Sequence, residues 1–169
     1  MKHLVISFIC DDKPGLVDAL SRTISEHQGN WQTSSLHHLS GKFAGILEVS
    51  VDESQYAPMT TALEQLTDFN LQLVDAPNPT EKRGKSISLS LTANDRAGIV
   101  QDISSVIHQN HGNLIKLVSQ QQSAPHSGQL MFTAKVIISV SENDVDSLIE
   151  ALEAIENDLM VDINESYGI

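Results

Sequence analysis

The residues of this chain whose types and spacing could do chemistry stand in two short phrases, Asp11-Asp12-Lys13-Pro14-Gly15-Leu16 and Asn94-Asp95-Arg96-Ala97-Gly98-Ile99. Each joins a run of alternating apolar residues to a run with helical periodicity. A helix start carries unpaired N–H groups and the positive end of the dipole, which suits a carboxylate or a phosphate. Pro14 fits a first turn, where its missing N–H removes no hydrogen bond. Gly15 and Gly98 let a ligand or a neighbouring backbone come close. Asp11, Asp12 and Asp95 could cap the helix or accept a hydrogen bond from an ammonium group. Donors for a carboxylate beside an acceptor for an ammonium is the pattern an α-amino acid requires. A plain cap followed by a tight turn would use the same residues.

Other reactive side chains carry less. Cys10 ends a strand beside the first phrase, as a nucleophile could. It shares a strand face with Leu4, Ile6 and Phe8, and its counterpart is Ala93, so a small buried residue is the expectation. His108 and His111 are three apart, and His37 and His38 are adjacent, but no cysteine or carboxylate completes a zinc pattern around them. Their counterparts are Ser25, Gln28, Gln120 and Gln121, so exposed polar positions are expected and no metal or other cofactor. His126 falls in a polar loop and is expected to be solvated.

The elements that position the two phrases are themselves duplicated. At a shift of 83 residues, Asp12, Gly15, Val17, Ser21, Ile24, Gly29 and Asn30 meet identical residues at Asp95, Gly98, Val100, Ser104, Ile107, Gly112 and Asn113. After an insertion around Ser123–Gly128 the match resumes at a shift of 89, with Phe43 on Phe132 and Leu63 on Leu152. In each copy a strand (3–10 and 86–93) leads to a helix (14–28 and 97–111) with apolar residues at helical spacing: Leu16, Val17, Leu20 and Ile24, then Ile99, Val100, Ile103, Val106 and Ile107. Gly29 and Gly112 are expected to be left-handed helix ends. Two strands follow, 31–39 and 43–51 in the first copy, 114–122 and 130–140 in the second, the first pair joined by a tight turn at Ser40-Gly41. A second helix begins in copy two at Ser141, with Asp144 at capping-box spacing. Short strands near 70–75 and 159–165 close the copies. The order βαββαβ, twice, predicts an α+β chain of two ferredoxin-like domains, each an antiparallel four-stranded sheet with helices on one face. The expected domains are 1–76 and 86–169, with Pro77-Asn78-Pro79 opening an aperiodic linker over 77–85.

Composition excludes some partners. Ten basic against 22 acidic residues leave a formal charge of −12, which repels nucleic acid and anionic lipid. The single cysteine rules out an internal disulfide and suits the cytoplasm. There is no 18-residue apolar run, so no membrane span is expected. The acidic helix over Glu142–Glu156 reads as a solvated face or as a surface for a basic partner.

A strand followed by D-x-P-G-L/I, a helix and a terminal Gly-Asn, inside a βαββαβ unit, resembles an ACT domain. Two such units spanning nearly the whole chain resemble the glycine cleavage system transcriptional repressor family. The resemblance implies a non-enzymatic regulator that binds a small amino acid, glycine by analogy, where paired ACT units meet. It would act on transcription through a DNA-binding protein partner, as a homo-oligomer. Family members use the first strand–helix loop and the start of the second strand. That implicates Asp12, Lys13, Pro14, Gly15, Leu16 and Asn30 in copy one, and Asp95, Arg96, Gly98, Ile99 and Asn113 in copy two. Copy two departs from the pattern at Ala97, which stands where the motif has proline. The competing expectation is a pairing module whose loops bind no ligand.

Overall fold

Alternation of apolar and polar residues builds one four-stranded sheet in each half of the chain, and helical spacing builds the layer that covers it. The computed structural model describes residues 1–77 and 86–164; most of the expected linker, and the end of the last strand at 165, lie outside the described residues. The chain divides into two compact units, Met1–Glu81 and Lys82–Ile169. The first runs β1 (Lys2–Asp11), α1 (Leu16–Glu26), β2 (Asn30–Leu39), β3 (Lys42–Val51), α2 (Glu53–Glu64) and β4 (Asn70–Ala76). The second repeats it as β5 (Ser86–Asn94), α3 (Ile99–Gln109), β6 (Asn113–Ser123), β7 (Leu130–Ser139), α4 (Val145–Glu153) and β8 (Met160–Asn164). The strand orders are β2-β3-β1-β4 and β6-β7-β5-β8, every pairing antiparallel. This is the βαββαβ fold expected, present twice. Even the bulge recurs, one extra residue between Trp31 and Ser34 on β2 and between Leu114 and Lys116 on β6.

Each unit has its own core. Leu4, Ile6 and Phe8 on β1, Leu47 and Val49 on β3, Leu16, Leu20 and Ile24 on α1 and Met59 and Leu63 on α2 close the first. Leu89 and Leu91, Val136 and Ile138, Ile103 and Ile107, and Leu148 and Leu152 close the second. The helices cover one face only, so the other face of each sheet is formed by the alternate residues.

Four local expectations are corrected. The helices begin at Leu16 and Ile99, two residues later than the apolar spacing suggested, so Pro14 precedes the helix instead of opening it. The left-handed residues at the helix ends are Gln28 (φ 58°) and His111 (φ 60°), not Gly29 and Gly112. Gly29 N–H bonds to the Ile24 carbonyl at 2.9 Å and Gln28 N–H to the Ser25 carbonyl at 2.9 Å, the paired bonds of a Schellman end with its left-handed residue one place earlier. Glycine is needed at 29 for space: a Cβ there would lie 2.8 Å from both Ile24 Cγ2 and Met59 Sδ. The Ser141 capping box does not form, because the Ser141 hydroxyl donates to the Asp144 carboxylate (2.6 Å) and a 3-10 turn, Glu142–Asp144, precedes α4. Finally, Val17 and Val100 are not core residues, at 44% and 42% exposed.

Candidate functional site

The first phrase becomes a tight loop between β1 and α1. Gly15, the residue before the helix, has φ 88° and ψ 0°, and Gly98 has φ 86° and ψ −3°. These are the angles of the third position of a type II turn, where glycine is favoured and proline is favoured just before it. In the second unit the turn bond is Ile99 N–H to the Arg96 carbonyl at 3.5 Å, and Ala97 takes the place of Pro14. No side chain caps α1 or α3, so Asp12 and Asp95 are not caps. The space above Gly15 is open: a Cβ built there meets nothing within 4 Å. An exposed pocket of about 340 Å³ lies here, lined by Asp12, Lys13, Gly15, Leu16, Val17, Asp18 and Phe43.

The loops are fastened to the neighbouring hairpin. Asp12 N–H donates to the Gly41 carbonyl at 3.0 Å, and Asp95 N–H to the Leu130 carbonyl at 2.9 Å. The Asp12 carboxylate lies 3.5 Å from His38 Nε2, and the Asp95 carboxylate accepts a bond from the Gln121 amide. Asp11 pairs with Lys42, which holds its carboxyl below the usual carboxylate range. Lys13 reaches Asp68 at 2.5 Å. Arg96 reaches Asp102 at 2.7 Å and Glu156 at 2.6 Å, and the bond to Asp102 pushes its pKa up. Asp158 accepts the Asn94 N–H at 2.8 Å, which lowers its carboxyl pKa.

The structure therefore brings together Asp12, Lys13, Gly15 and Leu16 in unit one. It also joins Asp95, Arg96, Gly98 and Ile99 in one loop of unit two. Leu16 and Ile99 are 4% and 5% exposed, so their side chains belong to the cores and only their backbones face the loop. Asn30 and Asn113 stand elsewhere. Asn30 pairs with Ser50, which pairs with His3, whereas the loop follows Asp11 at the other end of β1. Eight residues of strand separate the two rows, about 26 Å at ~3.3 Å per residue. Asn113, paired through Ser139 to Ser86, is likewise remote from Asn94. Reading the phrases alone missed His38, Gln121, Phe43 and Asp68, each distant in sequence. The alignment of His38 with Gln121 was the available signal, since both copies keep a donor there.

The remaining candidates are structural. Cys10 is 8% exposed, its thiol directed at the Phe43 carbonyl (3.5 Å), and burial first, then Asp11 and Asp12, push its pKa up, the reverse of nucleophile activation. Among the described residues no three His, Cys, Asp or Glu side chains stand where they could hold one metal ion. No helix among them is long and apolar enough to cross a membrane.

A family model described as the ACT domain matches residues 2–74. Among solved structures, an unknown protein from Galdieria sulphuraria superposes with a TM-score of 0.84 at 22% identity, over 98% of this chain and 99% of that one. A "putative glycine cleavage system transcriptional repressor" superposes with a TM-score of 0.68 at 18% identity, over 96% of each chain. At such identities the likeness is one of fold. No curated protein sequence matches this chain.

Proposed function

From an N-terminal unit that is an ACT domain, followed by a second unit of the same fold, we propose that this chain is a non-enzymatic regulator that binds a small amino acid at its β1–α1 loop. The observation that carries this reading is the loop itself. An uncapped helix start with open space over Gly15 offers N–H donors to a carboxylate, and the Asp12 carboxylate beside it can take an ammonium. Asn30 lies about 26 Å away along the strand, so it can join such a ligand only from a different ACT unit. Ligand binding would then favour one pairing of units over another, the differential affinity that regulation requires. The likeness to the repressor fold makes glycine the first ligand to try and transcription the first process. The excess of acids, 22 against 10, directs that action through a DNA-binding protein and not to DNA.

A second reading has its own support. Asp95 already accepts from Gln121, and Arg96 is held by Asp102 and Glu156, while Val17 and Val100 expose apolar surface beside the loops. Loops satisfied internally and flanked by apolar surface suit a pairing module. Calorimetric titration of the full chain with glycine, and with Asp12→Asn and Asp95→Asn variants, separates the two. Loss of a charged hydrogen bond should weaken binding by about 1.5–3 kcal/mol. An effect of Asp12→Asn alone assigns the site to unit one. Absence of heat with every small amino acid favours the pairing module.

A further inference from the structure

The sheet faces that the helices leave uncovered are different in the two units, although the positions correspond. In unit one, Val5, Ile9, Ala44 and Ile46 alternate with the buried residues of β1 and β3. Their counterparts in unit two are Ser88, Thr92, Thr133 and Lys135. At these four positions apolar side chains give way to hydroxyls and a cation, while Glu48 on the same face gives way to Ile137.

This face holds an open hollow of about 460 Å³, lined by Ser90, Thr92, Gln120, Gln122, Thr133 and Lys135 among others. That volume lies in the range of small-molecule sites, about 300–1,000 Å³. Charge distinguishes it from an ordinary solvated sheet. Among the described residues, Lys2, Lys13, Arg22, Lys42 and Arg96 each take an acidic partner. Lys116 and Lys135 alone have none. Both belong to this face: Lys135 lines the hollow and pairs with Val118, and Lys116, outside the lining, pairs with Ile137, so they are diagonal neighbours across β6 and β7. Diagonal pairs lie roughly 7–8 Å apart, within reach of one bound anion for two lysine side chains. Asp162 is the acid of the same row, beyond Ser90 on β8, two strands from Lys135 and so roughly 10 Å away. Asn164 is occupied with Ser90, donating to its hydroxyl at 2.9 Å.

We propose that this face of the second unit is a ligand site separate from the β1–α1 loops, for a small hydroxyl-bearing anion of the sugar-phosphate class. Two free ammonium groups match a dianionic phosphate. The Thr92 hydroxyl and the Gln120 and Gln122 amides can donate and accept, as a polyol requires, while Ser90 and Thr133 already donate to Asn164 and to the Gln120 carbonyl and offer acceptors. Two lysines on a chain of net charge −12 are too few to hold a polyanion such as nucleic acid.

The test is an amide chemical-shift titration of the full chain with glucose 6-phosphate, and separately with inorganic phosphate and with glucose. Glucose 6-phosphate should move the amides of Ser90, Gln120, Thr133 and Lys135 and leave Gly15 and Gly98 in place. Inorganic phosphate should act more weakly at the same amides. The double variant Lys116→Gln/Lys135→Gln, changing two exposed side chains, should keep the rest of the spectrum and weaken binding roughly tenfold or more, the factor a lost charged hydrogen bond carries. Silence of these amides at millimolar sugar phosphate, or an unchanged affinity in the double variant, would overturn the site. Inorganic phosphate binding as tightly as the sugar phosphate would overturn the ligand class.

Discussion

Gly15 and Gly98 are the residues on which the loop geometry turns, and the reason is backbone strain, not crowding. Their φ values of 88° and 86° are ones that a Cβ disfavours, yet the space around Gly15 is empty to 4 Å. Gly15→Ala should therefore lower stability by about 1–2 kcal/mol, the penalty for left-handed backbone, while leaving the neighbours in place. Denaturant unfolding measures this, and a neutral substitution would show that the turn is not type II. A second prediction concerns Tyr56, whose hydroxyl donates to Asp75 and whose pKa that bond pushes up to about 12. The folded chain thus holds the phenol protonated longer than the unfolded chain does. Its stabilising contribution is whole below the ordinary value of 10.0 and is lost as pH rises through about 12. Ultraviolet titration should show one late tyrosine that returns towards the ordinary value in Asp75→Asn; a Tyr56 ionising normally in the parent chain would contradict the contact. At this scale the phrases were readable but their wiring was not. That Asp12 meets His38, and Asp95 meets Gln121, depends on the hairpin lying beside the loop, which no local pattern records.

At the scale of elements, the helix ends show why a glycine is an ambiguous signal. Both a left-handed turn and a tight packing contact select glycine, and a Gly-Asn after a helix does not say which. Here the turn falls on Gln28 and the packing on Gly29. Gln28→Gly should stabilise by about 1 kcal/mol by relieving the left-handed strain. Gly29→Ala should destabilise by about 1–3 kcal/mol by overpacking against Ile24 and Met59. Thermal unfolding of the two variants checks the pair, and a reversed order would restore the simpler glycine cap. Strands were legible because Leu4, Ile6 and Phe8 alternate and their counterparts Ile87, Leu89 and Leu91 do the same. Val17 and Val100 were misread as core for a physical reason. They sit in the first helical turn beside the core-facing Leu16 and Ile99, where spacing alone does not separate the packed side from its flank. The separation of Asn30 from the loop likewise follows only from antiparallel register.

For the whole molecule, duplication is what made the fold readable, since each copy served as a control on the other. It removed Cys10 from the list of nucleophiles through Ala93, and it exposed the divergence at Ile46 and Lys135. The proposed amino-acid site at the β1–α1 loop is tested most directly by thermal unfolding of the full chain against a panel of free amino acids that includes glycine. At about 100 times its dissociation constant a ligand should add roughly 2.7 kcal/mol, a shift of a few degrees. The account predicts such a shift for a small amino acid and its loss in Asp12→Asn. No shift with any member of the panel, or a shift that Asp12→Asn leaves unchanged, would contradict it.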